Sequence, residues 1–400
     1  MQHLYLITLL SIIVQATSLT WKSVPGATHA SGIFAGIAAL SPTRAVLAGG
    51  LNSIGEGVFL LDTTNVKNPL NQTMAITVCK LCMMTAVKFH PDGKRGIAGG
   101  EAMLGEPVTY STLDGGESWT PSSVIAKGFN GALGGSDIEL VPSSNEADDK
   151  LTWAFVTEFN SWSNGTVCNR NHFHPTSSQC SGLSMTTDMG NTYTNLDWMG
   201  TDGPDTDAAV ASFPAANAWY VGGGLVQPES EQGAQWKAIV MKSVDEGKTF
   251  QTVLNITSPS TNSGKGIGSL LDIACSTADI CYVTSSCFDP NCGDRYGSFV
   301  YKTINGGQSW KELGFFYESQ MNVIRFLGQN EVVIGGGGVG LFDSAVVWYS
   351  TDGGATFTNT TLKGGPGLVM DLDFTSDGSG GFLTSVSEVS STTTIYQMIK

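Results

Sequence analysis

Thr112 to Trp119 reads TLDGGESW, and four later stretches repeat its pattern of Ser/Thr, Asp, Gly, Ser/Thr and an aromatic residue, with Asn305 in place of Asp once. An Asp side chain can close a turn by accepting hydrogen bonds from backbone N–H groups further along, and Gly adopts positive φ without steric cost. The residues before the copies alternate as in a β-strand, so the repeated unit is strand, tight turn, strand. The other copies are TTDMGNTY (186–193), SVDEGKTF (243–250), TINGGQSW (303–310) and STDGGATF (350–357).

This pattern resembles the Asp-box, or BNR repeat, of sialidases, sortilin-type receptors and some glycoside hydrolases. The resemblance implies an all-β protein, a β-propeller of four-stranded antiparallel blades. It also implies that each box joins the third and fourth strands of a blade, on the face opposite the usual ligand site. The acidic and amide side chains of the boxes are therefore expected to be structural; they are Asp114, Asp188, Asp245, Asn305 and Asp352.

Seven apolar segments, each followed by a second strand-like segment that usually ends in Gly, predict seven blades. The last unit has a third strand near residues 393–399 but no fourth. The segment LTWKSVP at 19–25 resembles the residues that come after a box, such as SWTP at 118–121, so it is expected to complete the last blade and close the ring. The seven segments begin at Ile37, Val87, Ile138, Val210, Leu271, Val323 and Leu372.

The ends and composition of the chain predict a secreted protein. Residues 1–18 contain an apolar stretch followed by small residues, which is typical of a signal peptide, and residues 19–400 are expected to form one propeller. No later segment is long and apolar enough to span a membrane. The net charge of −15 disfavours a nucleic-acid surface. We expect a monomer, secreted or held in the lumen of the secretory pathway.

Eight cysteines, an even number, fit an oxidising compartment. Local pairing is expected, although the CxxC at 79–82 also has the spacing of half a zinc site or of a redox pair. Four Asn-x-Ser/Thr sequons fall in predicted turns, loops or strand ends. The pairs are Cys79 with Cys82, Cys168 with Cys180, Cys275 with Cys281 and Cys287 with Cys292; the sequons begin at Asn71, Asn164, Asn255 and Asn359.

The inner strands carry charges of alternating sign, Lys88 and Glu139 in one group and Asp272, Arg325 and Asp373 in another. Because buried charges must be paired, structural ion pairs near the central channel are predicted. A catalytic carboxylate among Glu139, Asp272 and Asp373 is the alternative.

The long loops opposite the boxes are the expected place for a ligand. Glu101 and Asp294 are the candidate catalytic carboxylates. The spacing of Asp202, Asp205 and Asp207 suits Ca²⁺, and His172 with His174 suits a metal on a strand, but polar turns explain both patterns as well; no other cofactor is expected. The candidate ligand-binding residues are Glu158, Trp162, Arg170, His172, Trp236, Arg295 and Tyr296.

The arginine content disfavours a sialidase, which by resemblance needs three arginines to clamp a carboxylate. Of five arginines, Arg44 and Arg95 fall in turns on the wrong face. Photosystem-assembly factors with such boxes need a basic patch that does not fit the net charge. The sequence therefore predicts a module that binds a glycan or an extracellular protein without catalysis; the alternative is a glycoside hydrolase with a carboxylate pair on the loop face.

Overall fold

The computed structural model describes fifteen ranges of the chain. They are residues 19–29, 32–51, 55–75, 82–102, 108–124, 133–142, 152–160, 179–196, 206–230, 233–257, 270–287, 297–317, 319–338, 344–387 and 392–399. Within them the regular structure is entirely β. None of these ranges forms a helix long and apolar enough to cross a bilayer.

The described strands are numbered in chain order. They are β1 (Thr20–His29), β2 (Gly32–Ser41), β3 (Arg44–Leu51), β4 (Gly55–Asp62), β5 (Leu70–Ala75), β6 (Cys82–Phe89), β7 (Gly96–Ala102), β8 (Val108–Thr112), β9 (Thr120–Val124), β10 (Leu133–Val141), β11 (Thr152–Asn160), β12 (Gln179–Thr186), β13 (Thr194–Leu196), β14 (Thr206–Ala215), β15 (Ala218–Ser230), β16 (Gly233–Ser243), β17 (Gln251–Thr257), β18 (Leu270–Cys275), β19 (Cys281–Cys287), β20 (Gly297–Thr303), β21 (Lys311–Tyr317), β22 (Ser319–Gly328), β23 (Glu331–Gly338), β24 (Ser344–Ser350), β25 (Thr358–Pro366), β26 (Leu368–Phe374), β27 (Gly381–Ser387) and β28 (Thr392–Ile399).

The strands form antiparallel four-stranded units. Five separate sheets contain β2 to β5, β6 to β9, β10 to β13, β14 to β17 and β18 to β21, each in chain order. A larger sheet contains β22 to β25 and the set β26, β27, β28 and β1, which a single bridge between Gly337 and Leu368 connects. The first described strand, β1, thus pairs with the last, β28, and Trp21 lies opposite Met398.

The hydrophobic core is divided between neighbouring sheets. In β24, Val347 and Tyr349 pack on one side and Trp348 packs on the other, and all three are buried. A strand buried on both faces is apolar at successive positions and does not show simple alternation. Burial on both faces likewise explains the apolar runs Ala45 to Ala48 in β3 and Val332 to Ile334 in β23.

The first strands of the units contact one another in sequence, from β2 to β6 and onward to β26, which in turn contacts β2. Each contains a β-bulge, an extra residue that bends a strand and redirects its side chains. The bulges lie between Phe34 and Gly36, Met84 and Ala86, Gly135 and Asp137, Ala208 and Val210, Leu270 and Asp272, Met321 and Val323, and Val369 and Asp371.

Candidate functional site

The five box turns (112–119, 186–193, 243–250, 303–310 and 350–357) share one hydrogen-bond pattern. In the first, Asp114 Oδ1 accepts from the Thr112 hydroxyl at 2.8 Å and from the Ser118 backbone N–H at 3.0 Å. Asn305 keeps both contacts and donates from Nδ2 to the Ser309 hydroxyl at 2.8 Å. The box side chains therefore close turns, as predicted, and their oxygens are occupied in doing so.

The acidity of a box carboxyl reflects these contacts. The Thr356 hydroxyl and then the Thr356 backbone N–H lower the pKa of Asp352 to about 2. A general acid near neutral pH needs a raised pKa, so this group is unsuited to that role.

Two successive residues of each box turn have positive φ, where a single Gly was expected. Gly115 and Gly116 have φ of 75° and 85°. In the second and third boxes the earlier of the two positions is Met189 at 58° and Glu246 at 60°. These two are non-Gly residues in the left-handed region, which costs such residues about 1–2 kcal/mol.

A cavity of about 180 Å³ lies where the first strands meet, and every one of β2, β6, β10, β14, β18, β22 and β26 contributes to its wall. Its size would hold several water molecules. Its lining is unusual for a protein interior because it is rich in ionisable groups. The charged residues of the wall are Lys88, Asp137, Asp272, Arg325, Asp371 and Asp373.

The carboxylates of this wall connect neighbouring units through backbone hydrogen bonds. Three of them stand at the bulge and accept from the first strand of the next unit. The distances are 3.0 Å from Ala211 N to Asp137 Oδ2, 2.8 Å from Ile324 N to Asp272 Oδ2 and 2.9 Å from Ile37 N to Asp371 Oδ2. Because the first strand is the inner edge of its four-stranded unit, backbone N–H groups that do not face the second strand have no partner in the ladder. A carboxylate of the neighbouring unit satisfies them.

Ion pairs add a second set of connections. Lys88 Nζ lies 2.8 Å from Glu139 Oε1, and Arg325 Nη1 lies 2.6 Å from Asp272 Oδ2, as the alternating signs predicted. The second partner of Arg325 is Asp371, at 3.1 Å, so the prediction that Asp373 fills this role was wrong. Asp373 instead accepts from Ala39 N at 2.9 Å, because it lies one pleat further along β26.

Electrostatics in the cavity favour uncharged carboxyl groups. Burial, and then the charges of Glu139 and Asp272, raise the pKa of Asp137 to about 8. Burial raises the pKa of Asp371 to about 6 although Arg325 opposes the shift. Burial alone would lower the pKa of Arg325, but Asp272 and Asp371 raise it, so this guanidinium stays charged.

Of the predicted loop-face residues, Glu101, Glu158, Trp236 and Asp207 lie within described strands. Glu101 lies near the end of β7, Glu158 in the second half of β11 and Trp236 near the start of β16. In each of these units the box turn begins at the opposite end of the strands, so the three residues lie away from the boxes. The remaining candidates lie outside the described residues; they are Trp162, Arg170, His172, His174, Asp202, Asp205, Asp294, Arg295 and Tyr296.

Two further predictions concern covalent and metal chemistry. Cys275 and Cys281 form a disulfide, as predicted. The other three pairings involve Cys79, Cys168 and Cys292, which lie outside the described residues. Within the described ranges, the structure brings no three His, Cys, Asp or Glu side chains into an arrangement that would hold a metal ion.

Comparison with known proteins identifies the fold. No family model matches the sequence, and no curated protein matches it. Among solved structures, YCF48 bound to D1 peptide matches with a TM-score of 0.55 and 13% identity, over 95% of this chain and 97% of that one. The WD40 β-propeller domain of Doa1 matches with a TM-score of 0.51 and 11% identity, over 95% and 97%.

A further structural match is an enzyme. The Hadza microbial sialidase Hz136 has a TM-score of 0.52 and 11% identity, over 90% of this chain and 74% of that one. At these identities a likeness defines the fold alone. The chain is a β-propeller, and its similar structures include both binding proteins and glycoside hydrolases.

Proposed function

We propose that the chain is a seven-bladed, Asp-box β-propeller that binds a glycan or a protein segment on the face opposite the boxes, without catalysis. Support for the ring comes from the contacts of the first strands, which return from β26 to β2, and from the wall that all of them contribute to one cavity. The pairing of β1 with β28 supplies the fourth strand of the last blade and so closes the ring.

The observation that supports binding without catalysis is that the carboxylates of the boxes and of the cavity already make contacts within the protein. Most glycoside hydrolases use two carboxyl groups that are free to face the substrate. The box carboxylates are bound within their own turns, and those of the cavity accept backbone N–H groups or pair with Lys88 and Arg325. In both sets the geometry suits a scaffold better than an acid–base pair.

The ligand is expected to contact the loop face. Rigid strands that end in long, uneven loops are a common arrangement for binding. YCF48, which resembles this chain in fold, was solved with a peptide, and this gives the protein-segment form of the proposal its precedent. The proposed contacts are Glu158, Trp162, Arg170, His172, Trp236, Arg295 and Tyr296.

The proposal also includes entry into the secretory pathway, cleavage after residue 18 and a monomeric state. The apolar N-terminal segment and the even number of cysteines support the secretory route, together with the disulfide between Cys275 and Cys281. A disulfide of this kind persists in an oxidising compartment.

Binding and hydrolysis are separated by one pair of assays on the secreted chain. A glycan array and a random peptide library report binding, and a panel of fluorogenic glycosides reports turnover. We expect binding without turnover, weakened by Trp236→Ala. Leu113→Ala is the matched control, because Leu113 is a large apolar side chain, 69% exposed, in a box turn on the other face.

Sustained turnover that Glu101→Gln or Asp294→Asn abolishes would replace the proposal with the glycoside hydrolase. Equal loss of binding in Trp236→Ala and Leu113→Ala would show that the loop face is not the binding surface.

A further inference from the structure

Among the described strands, the outermost strand of each four-stranded unit pairs on one side only. These strands are β1, β5, β9, β13, β17, β21 and β25. A free edge presents unpaired backbone N–H and C=O groups to which another chain can add, and natural proteins block such edges with proline, charge or short length.

Four of the described edges carry one of these devices, and a fifth, β25, carries a charge and a proline in its second half. Pro25 interrupts β1 and Pro121 lies in β9, and proline cannot donate to a new ladder. Strand β13 has only three residues. In β21, Lys311 and Glu312 are exposed charges.

Strand β25 and the remaining two edges, β5 and β17, share a different feature. Strands β5 and β17 contain neither proline nor a charged residue, and β25 has both only in its second half, after Leu362. Each of the three contains a sequon, and its asparagine is exposed: Asn71 in β5, Asn255 in β17 and Asn359 in β25.

We infer that Asn71, Asn255 and Asn359 carry N-linked glycans that block these three edges against pairing with another chain. The inference rests on the proposed entry into the secretory pathway. There an oligosaccharyltransferase joins Asn Nδ2 to the anomeric carbon of an oligosaccharide held on a lipid diphosphate. The amide loses a proton and the lipid diphosphate leaves. A bulky, hydrated group at these positions excludes a second strand as proline or lysine does elsewhere.

Occupancy is tested on the chain from residue 19 onward, secreted from eukaryotic cells behind a cleavable signal of known efficiency. With this signal, the glycan sites can be tested even if residues 1–18 do not direct the native chain into the secretory pathway. We expect intact mass to show a glycan at each asparagine, and each Asn→Gln substitution to remove one. The exposed Thr361 gives a matched pair, since Thr361→Ser keeps the sequon and Thr361→Val removes it. Unmodified asparagines in the secreted protein would overturn the inference.

The blocking role is tested by light scattering during mild heating. The triple variant Asn71→Gln, Asn255→Gln, Asn359→Gln should aggregate faster than the glycosylated protein. The triple Asn→Lys variant should restore resistance without any glycan, because a lysine on an edge also disfavours pairing. Enzymatic removal is avoided because it leaves Asp, which adds charge at the edge.

If the triple Gln variant is not secreted, the three single variants and the Lys series are compared instead. Equal aggregation of the Gln, Lys and glycosylated forms would overturn the blocking role.

Discussion

At the scale of the residue, the box turn depends on one side-chain oxygen and on two successive residues with positive φ. Asp114 Oδ1 joins the start and end of its turn, while Gly115 and Gly116 reverse the chain between them. That Met189 and Glu246 occupy the earlier position shows that its strain is tolerated when the hydrogen bonds are present. The later position is Gly in all five boxes, and space explains this: a Cβ on Gly116 would lie 2.9 Å from Val46 Cγ2.

Substitution of Gly116 should therefore cost more than its dihedral alone. We expect Gly116→Ala to lower the free energy of unfolding by about 2–5 kcal/mol, the sum of left-handed strain and overpacking. Gly55→Ala is the control, because Gly55 has φ of 88° and open space around it. It should cost only about 1–2 kcal/mol. Denaturant melts would measure both, and equal losses would refute the steric part of the explanation.

At the scale of the element, the bulge in each first strand decides which side chains reach the cavity. From the sequence, β10 was expected to begin at Ile138 and β26 at Leu372, whereas the strands begin at Leu133 and Leu368. Asp137 and Asp371, the two residues just after the bulge, were therefore missed. Glycines such as Gly134 and Gly135 weaken a strand signal, so propensity gave no reason to extend β10 so far. Asp272 holds the same position, directly after the bulge of β18. Aligning the first strands of the units on Asp272 would therefore have found both residues.

Arg325 connects three units, and its substitution should show how much this connection contributes to the free energy of unfolding. We expect Arg325→Met to lower the free energy of unfolding by about 3–5 kcal/mol, since it leaves Asp272 and Asp371 buried without their cation. Adding Asp371→Asn should recover part of the loss. Arg44→Met breaks an exposed pair with Glu117 and should cost no more than about 1 kcal/mol. If the two arginine variants lose equal stability, the cavity charges do not connect the units.

At the scale of the whole molecule, the first and last described strands, β1 and β28, pair in one sheet. Trp21 in β1 lies opposite Met398 and its ring centroid is 6.2 Å from that of Phe374. We expect deletion of residues 19–29 to expose the β28 edge, lower the melting temperature and promote aggregation. Added peptide spanning Thr20–His29 should restore the melting temperature, and the same peptide with Trp21→Ala should do so less well. No effect of the deletion would contradict closure by β1.

The repeat made the fold predictable, because five turns with one hydrogen-bond pattern require similar strands on both sides. The ion pairs of Lys88 with Glu139 and of Arg325 with Asp272 were predictable from the alternation of side chains along their strands. The cavity as a whole was not. It forms from seven strands that are distant in sequence, and the donor to Asp371 is the backbone N–H of Ile37, which no side-chain pattern reveals.

The two sets of carboxylates give stability opposite dependences on pH. The box carboxyl of Asp352 has a lowered pKa, so its contribution is present above 3.8 and is lost as pH falls toward about 2. Asp371 and Asp137 have raised pKa values, about 6 and about 8, so their contribution is full below 3.8 and is lost as pH rises through those values. From these groups, stability should be greatest near pH ~4 and fall by about 2 kcal/mol or more by pH ~8.

Asp137→Asn separates the two dependences. Its side-chain oxygen can still accept from Ala211 N, but the group no longer titrates, so the decline between mildly acidic and alkaline pH should become shallower. Asp352→Asn should leave that decline unchanged and alter only the acid side, as the native Asn305 shows that an amide fits a box turn. Melting temperatures across this pH range measure both effects. A decline as steep in Asp137→Asn as in the unsubstituted protein would show that the ionisation of Asp137 does not cause it.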